Sequence, residues 1–139
     1  MSPAITSAWK IIPQFKSRNI KASADFYTKE LGFTLGGIDS DDIGEAQFCS
    51  VFVGDKAAAN IYLHLFDGNG SFPKSSAMIA LGTVQLDEFY HQVEGNNLVI
   101  ITQAPEDKPW GYRQFTLLDP DGNELTFFKF LEGGNPGSE

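Results

Sequence analysis

The two histidines and the single cysteine are the side chains of this 139-residue chain best suited to catalysis or metal binding. Cys49 lies in an apolar, strand-like run, which is typical of a buried, inert thiol rather than a nucleophile. His91 lies in a stretch with helical spacing, where we expect it to be exposed. His64 alternates with Tyr62 in a strand-like run, so both side chains are expected on one face. One imidazole does not make a zinc or iron site, which needs three or four protein ligands.

Two polar loops lack the spacing that phosphate or calcium binding requires. Gly68-Asn69-Gly70 is not followed by Lys and Ser or Thr, so it does not form a phosphate-binding loop. Asp39, Asp41 and Asp42 lack the ligand spacing and the final Glu of a calcium loop. We expect the three aspartates to lie in a solvated loop on the side from which a cationic ligand would approach.

Composition and charge exclude several classes of protein. Hydrophobic residues make up 42% and charged residues 20%, which is ordinary for a globular chain of one domain. A net charge of −8 argues against a nucleic-acid-binding face and suits a cationic ligand. No apolar run reaches the ~20 residues of a membrane-spanning helix, and no secretory signal is apparent, so we expect no membrane partner. With one cysteine no internal disulfide can form, which favours a cytoplasmic protein.

Hydrophobic periodicity predicts the same order of elements twice, namely strand, helix and three strands. In the first half, Asn19 caps a helix from Ile20 to Leu31. In the second half, the helix runs from Leu86 to Val93. We divide the single domain into a first module over about 9–66, a link over 67–75, a second module over about 76–130 and a frayed tail over 131–139. The strands are predicted at Trp9–Lys16, Phe33–Leu35, Ala46–Val53, Asn60–Phe66, Ala77–Val84, Leu98–Thr102, Tyr112–Leu118 and Glu124–Phe130, with a charged loop at Pro105–Pro109.

A weak internal repeat supports this duplication. Phe26-Tyr27 and Phe89-Tyr90 lie 63 residues apart, each shortly before a glycine that ends a helical run. The aromatic runs that begin at Ile61 and Leu125 lie 64 residues apart. Agreement of the flanking elements makes two related modules the best interpretation.

Several motifs resemble those of the vicinal oxygen chelate superfamily, which contains glyoxalases, extradiol dioxygenases and the fosfomycin- and bleomycin-resistance proteins. Pro109-Trp110-Gly111 followed by Asp119-Pro120-Asp121-Gly122-Asn123 resembles the signature of the second module. Phe26-Tyr27 with Leu31-Gly32-Phe33 resembles the first, and the likeness covers about residues 9–130. The resemblance implies an α+β fold of two βαβββ modules that form a half-open barrel. The Asp119–Asn123 stretch itself reads as a tight hairpin turn without chemistry.

Within the superfamily, the chain is most similar to bleomycin-resistance-type binding proteins. Pro13 stands where their N-terminal arm crosses to the partner subunit, which implies an arm-swapped homodimer. Pro109-Trp110-Gly111 matches the stretch whose tryptophan lies in their drug groove.

The resemblance also implies where the metal ligands of the enzymes would fall. The first, third and fourth positions are Ile12, Met78 and Thr126, none of which is a good donor, and the second is Tyr62 or His64. We therefore expect no metal and no other cofactor. A two-residue slip in register would bring Gln14 and Glu124 to join His64, which is the main alternative.

Aromatic side chains are abundant, and in two strands both faces are apolar or aromatic. One face of each strand must cover a helix, and the other is expected to line a groove. The leading hypothesis is a metal-free binding protein that sequesters a flat, cationic antibiotic or natural product. The alternatives are an enzyme of the superfamily (a glyoxalase, dioxygenase, lyase or isomerase) and a binder of an unrelated hydrophobic metabolite. The predicted ligand-binding residues are Trp110, Tyr112, Tyr62, His64, Phe48, Phe52, Thr126 and Phe128, with no catalytic residue assigned.

Overall fold

The computed structural model describes residues 4–39, 45–55, 59–82 and 85–132. Within these ranges the chain forms eight strands and two α-helices in the order strand, helix, three strands, twice over, as the sequence predicts. The elements are β1 (Gln14–Ser17), α1 (Ile20–Asp25), β2 (Thr34–Ile38), β3 (Phe48–Val53), β4 (Ala59–Leu65), β5 (Ser76–Ala80), α2 (Gln85–Glu94), β6 (Ile100–Asp107), β7 (Tyr112–Leu118) and β8 (Glu124–Phe130).

Each half of the chain builds one four-stranded mixed sheet. The first sheet has the order β1-β4-β3-β2 and the second the equivalent order β5-β8-β7-β6. The pairs β1–β4 and β5–β8 are parallel, and the other pairs are antiparallel. This arrangement confirms the predicted α+β class with two βαβββ units.

The first helix begins where the sequence predicts and changes type before it ends. The Asn19 side chain accepts a hydrogen bond of 3.0 Å from the Ala22 backbone N–H, which is the expected N-cap. After α1 the chain continues as a π-helical turn over Phe26–Glu30. Gly32, at φ +78°, ends the run, because a positive φ costs a glycine little. Tyr27 lies in this turn and is fully buried.

The first strand is shorter than predicted. It was expected over Trp9–Lys16, yet β1 begins only at Gln14, and Trp9 and Ile11 are exposed. Pro13 has no N–H to donate to a sheet, but its carbonyl accepts a hydrogen bond of 3.0 Å from the Tyr62 N–H. The proline therefore stands immediately before the paired segment, not inside it.

The prediction of a charged loop at Pro105–Pro109 is wrong for its first three residues. Strand β6 continues through Asp107 and carries two register shifts, between Ile101 and Gln103 and between Gln103 and Glu106. Because β6 is an edge strand and Pro105 lies within the second shift, the missing N–H of the proline breaks no regular pairing.

Four other predicted segments differ in extent or lie outside the described residues. Strand β2 continues past the predicted end at Leu35 through Gly36-Gly37, and its register shifts there. Strand β5 ends at Ala80 instead of continuing to Val84, which is not among the described residues. Ser40 to Asp42 of the acidic segment and residues 133–139 of the tail also lie outside them.

One cluster of buried apolar side chains includes residues of both sheets and both helices. Phe33, which precedes β2, contacts Phe127 of β8 edge-to-face at a centroid distance of 6.4 Å. In the middle of β4 and of β8 the buried side chains alternate with half-buried ones, as where Ile61 and Leu63 are buried and Tyr62 is not. One face of each sheet therefore packs into the core, and the other is left open.

The turn between β7 and β8 fastens the two halves of the chain together. It is the predicted hairpin, with Gly122 at φ +87°. The buried carboxylate of Asp121 accepts hydrogen bonds from the Arg18 backbone N–H at 3.1 Å and from the Ser23 hydroxyl at 3.3 Å. The Asn123 amide donates to the Lys16 carbonyl at 3.0 Å. The turn thus has a structural role that reaches beyond its own hairpin.

Among the described residues, no helix is long and apolar enough to span a membrane.

Candidate ligand-binding faces

The open face of the first sheet carries a cluster of three rings. Phe48 of β3 contacts Tyr62 and His64 of β4 at centroid distances of 5.1 and 5.2 Å, and Tyr62 lies 6.5 Å from His64. Register explains the grouping, since Phe48 lies directly opposite His64. Phe52 lies on the same face near the other end of β3. The structure therefore places four of the predicted ligand-binding residues on this face, which we call the first aromatic face.

Lys16 is the neighbour of His64 on the other side of β4. The parallel pairing of β1 with β4 sets Lys16 beside His64 and Gln14 beside Tyr62. The Nε2 atom of His64 is buried and has no hydrogen-bond partner.

The open face of the second sheet carries the second aromatic face, formed by Tyr112 of β7 with Phe128 and Phe130 of β8. Tyr112 stacks on Phe128 at a centroid distance of 4.6 Å and an interplanar angle of 24°. Phe130 contacts Tyr112 edge-to-face at 5.1 Å. Thr126 lies on the same face, and its hydroxyl is 2.8 Å from the Thr116 hydroxyl. Three predicted residues are thereby grouped here, and Phe130 is an addition.

Gln114 is a residue of this face that the sequence analysis missed. It lies directly opposite Phe128, and its Oε1 atom is buried without a hydrogen-bond partner. The alternation of β7 could have identified it, because Gln114 lies between Tyr112 and Thr116 on the same face of the strand.

Trp110 lies in the turn that leads into β7, where 59% of its surface is exposed. Gly111 follows it at φ +91°, and the Lys108 ammonium lies 5.7 Å from the centroid of the Trp110 ring. Because so much of its surface is exposed, Trp110 does not fill a place in the core, and a large part of the indole is available for contact.

The two aromatic faces are separate within one chain. Among the ring contacts of the described residues, none joins Phe48, Tyr62 or His64 to Tyr112, Phe128 or Phe130. The eight predicted residues therefore lie on two separate aromatic faces and in an adjoining turn.

The residues do not fit a metal centre. The implied ligand positions hold Ile12, Met78 and Thr126, whose side chains offer at most a thioether or a hydroxyl to a divalent metal. Gln14 lies beside Tyr62, while Glu124 belongs to the other sheet, where it pairs with Ser76. In the described ranges, no three His, Cys, Asp or Glu side chains are grouped as metal ligands.

Charged groups near the second face are paired with one another. The Arg113 guanidinium donates to Asp87 of α2 at 3.1 Å and to Asp107 of β6 at 2.9 Å, and these hydrogen bonds raise its pKa. Lys108 lies 3.4 Å from the Glu106 carboxylate. The contacts of Arg113 hold α2 to the sheet, and the contact between Lys108 and Glu106 borders the Trp110 turn.

A family model described as the glyoxalase/bleomycin resistance protein/dioxygenase superfamily matches residues 16–127. The chain belongs to this superfamily. The match confirms the resemblance drawn from the motifs. The chain is also 24% identical over 138 residues to a bleomycin resistance protein of Geobacillus stearothermophilus, an alignment that covers 87% of this chain and 96% of the relative.

Two solved structures have a similar fold. The crystal structure of a bleomycin resistance determinant encoded on the transposon Tn5 matches with a TM-score of 0.66 at 24% identity, over 87% of this chain and 97% of that one. An integron cassette protein from the mobile metagenome of the Halifax Harbour sewage outfall matches with a TM-score of 0.72 at 20% identity, over 91% and 100%. These likenesses confirm the predicted barrel-type fold of the superfamily.

Proposed function

We propose that the protein binds a flat, cationic antibiotic or natural product in an aromatic groove, holding it without a metal and without turnover. The observation that carries this proposal is the pair of aromatic faces that the core leaves uncovered. Tyr112 stacked on Phe128 offers a flat apolar surface, and Phe48 with Tyr62 offers a second. Similarity to a bleomycin resistance protein over most of both chains supports a ligand of that kind.

The groove is proposed to form between two copies of the chain. Each face is half of a pocket, and a flat molecule buried on both sides needs two facing walls. The segment before β1 exposes Ile5, Trp9 and Ile11, at 73%, 74% and 89% of their surfaces, which favours a contact with a partner. A cavity of about 390 Å³ between Pro13 and Met78 adjoins this segment. A homodimer that exchanges these segments would cover them.

The charge of the chain favours a cationic ligand. The net charge of −8 gives a long-range attraction for cations. Aromatic ring faces also attract cations over short distances. Sequestration needs affinity only, and the two faces present aromatic rings with a single imidazole, that of His64.

Recovery of the ligand distinguishes a binding protein from an enzyme. The purified protein is incubated with an excess of metal-free bleomycin, the complex is separated from free drug, and the released drug is examined by mass spectrometry. The proposal predicts unchanged drug, from a protein whose elemental analysis shows no stoichiometric transition metal. A changed drug mass, or about one metal per chain that is lost in His64→Ala, would favour an enzyme instead.

A further inference from the structure

Two buried polar atoms in the described part of the chain have no hydrogen-bond partner. They are Nε2 of His64 and Oε1 of Gln114. Leaving a buried acceptor or donor unpaired is destabilising, so native proteins contain few such atoms. Both belong to the open faces, one to each sheet.

The two atoms occupy equivalent places in the two modules. The repeat of 64 residues that relates β4 to β8 aligns His64 with Phe128. His64 pairs with Phe48 of β3, and Phe128 pairs with Gln114 of β7. The equivalent cross-strand pair of each sheet therefore joins one phenylalanine to one polar side chain. In the first sheet the polar side chain, His64, is on β4, and in the second the polar side chain, Gln114, is on β7, the equivalent of β3. A packing accident would not be expected twice at one position.

Among the described residues, no donor forms a hydrogen bond with Oε1 of Gln114, and the nearby Lys108 ammonium lies against Glu106 instead. Its cross-strand neighbour Phe128 cannot donate a hydrogen bond, and the Thr116 hydroxyl is engaged with that of Thr126. On its other side Gln114 pairs with Glu106, whose carboxylate can only accept. A bound molecule that satisfies Oε1 must therefore carry a proton to donate.

We infer that Gln114 is a specificity-determining acceptor, which binds the N–H group of a flat aromatic amide or amine stacked on Tyr112 and Phe128. This inference rests on the proposed function. The Gln114 side chain as a whole is only half-buried, so a rotation of its carboxamide brings Oε1 to the ligand. A ligand that carries only acceptors gains nothing at this position.

Two probes, one with an N–H donor and one without, test the inference. Naphthalene-2-carboxamide has an N–H group, and its N,N-dimethyl derivative does not. Their affinities are measured by ligand-observed NMR for the wild type, for Gln114→Met and for the control Gln92→Met, which changes an exposed glutamine of α2. We expect the wild type and the control to prefer the primary amide roughly 5- to 10-fold. Gln114→Met is expected to bind both probes equally.

The free protein gives a second readout. Because methionine removes an unpaired buried acceptor, Gln114→Met should melt roughly 3–6 °C above the wild type, while Gln92→Met should not. Binding of both amides without preference, or a preference that survives in Gln114→Met, overturns the role of Gln114 and leaves the proposed function standing. Failure of the wild type to bind either amide or bleomycin overturns both.

Discussion

The Tyr27 hydroxyl donates a hydrogen bond of 2.9 Å to the Asp119 carboxylate, 92 residues further along the chain. Tyr27 lies in the π-helical turn of the first half, and Asp119 begins the hairpin turn of the second. Asp119 also accepts from the backbone N–H groups of Asp121 and Asn123 and from the Asn123 side chain, each at 2.9 Å. One buried carboxylate therefore both closes its own turn and holds the two halves together.

Replacing Tyr27 by phenylalanine should destabilise the protein. The substitution keeps the ring in the core but removes one donor from a carboxylate that is 4% exposed. We expect a loss of about 1–3 kcal/mol in the free energy of unfolding, measured with urea. Tyr90→Phe is the control, because its ring lies on α2 and is only half-buried. Equal stabilities of Tyr27→Phe and the wild type would show that this hydrogen bond does not hold the halves together.

The alkaline pH dependence of stability should depend on Cys49. Burial raises the pKa of the Cys49 thiol to about 11, with a further contribution from Asp39. Because the folded pKa lies above the unfolded one, the stabilising effect is complete below the unfolded value, near 9, and is lost as the pH rises towards 11. Unfolding of Cys49→Ala should therefore depend less steeply on pH over that interval.

Reactivity of the thiol provides an independent check on the burial of Cys49. The native protein should resist a thiol-specific disulfide reagent at mildly alkaline pH and should react once unfolded. Rapid reaction of the native thiol would contradict the burial of Cys49. The same pH dependence of unfolding in the wild type and in Cys49→Ala would contradict it as well.

Replacing Trp110 by alanine should weaken ligand binding more than folding. The indole is 59% exposed, so its removal leaves no large cavity. Loss of a stacking ring should cost roughly 1–3 kcal/mol of affinity for metal-free bleomycin. Calorimetry measures the affinity and thermal melting the stability. A variant that melts far below the wild type yet binds normally would remove Trp110 from the site.

Local patterns in the sequence predicted most of the fold. The bounds of β7 and β8 match the prediction residue for residue, because runs rich in aromatic and β-branched residues are bordered there by Gly111 and by the Asp119–Asn123 turn. The continuation of β6 through Pro105 could not be predicted, since it depends on bulges that only the pairing with β7 defines. The docking of the Asp119 turn on Tyr27 could not be predicted from a local pattern either, because the two residues are 92 positions apart in the chain.

The candidate site could be predicted only strand by strand. Alternation correctly placed Tyr62 with His64 on one face, but neighbours across strands depend on register. Register sets Lys16 beside His64, and it sets Gln114 beside Phe128. The division into two modules separated the residues of the first face from those of the second, but it did not show which of them are neighbours across strands.

Disrupting the exposed N-terminal segment should dissociate the proposed dimer. Sedimentation at tens of micromolar should show a dimer for the wild type and a monomer for Trp9→Glu combined with Ile11→Glu, because two charges cannot be buried in an apolar contact. Ile100→Glu is the control. Ile100 is another exposed apolar residue, with 60% of its surface exposed, but it lies on β6 and not in the N-terminal segment. A monomeric wild type would remove the shared groove from the account.

Calorimetric titration of the protein with metal-free bleomycin tests the central claim most directly. If the two faces form a groove for a flat, cationic molecule, binding should saturate at one drug per chain and weaken as salt is raised. Trp110→Ala should bind more weakly at the same stoichiometry. Absence of saturable heat at drug concentrations up to the millimolar range, or binding unaffected by Trp110→Ala and by Tyr112→Ala combined with Phe128→Ala, would contradict the account.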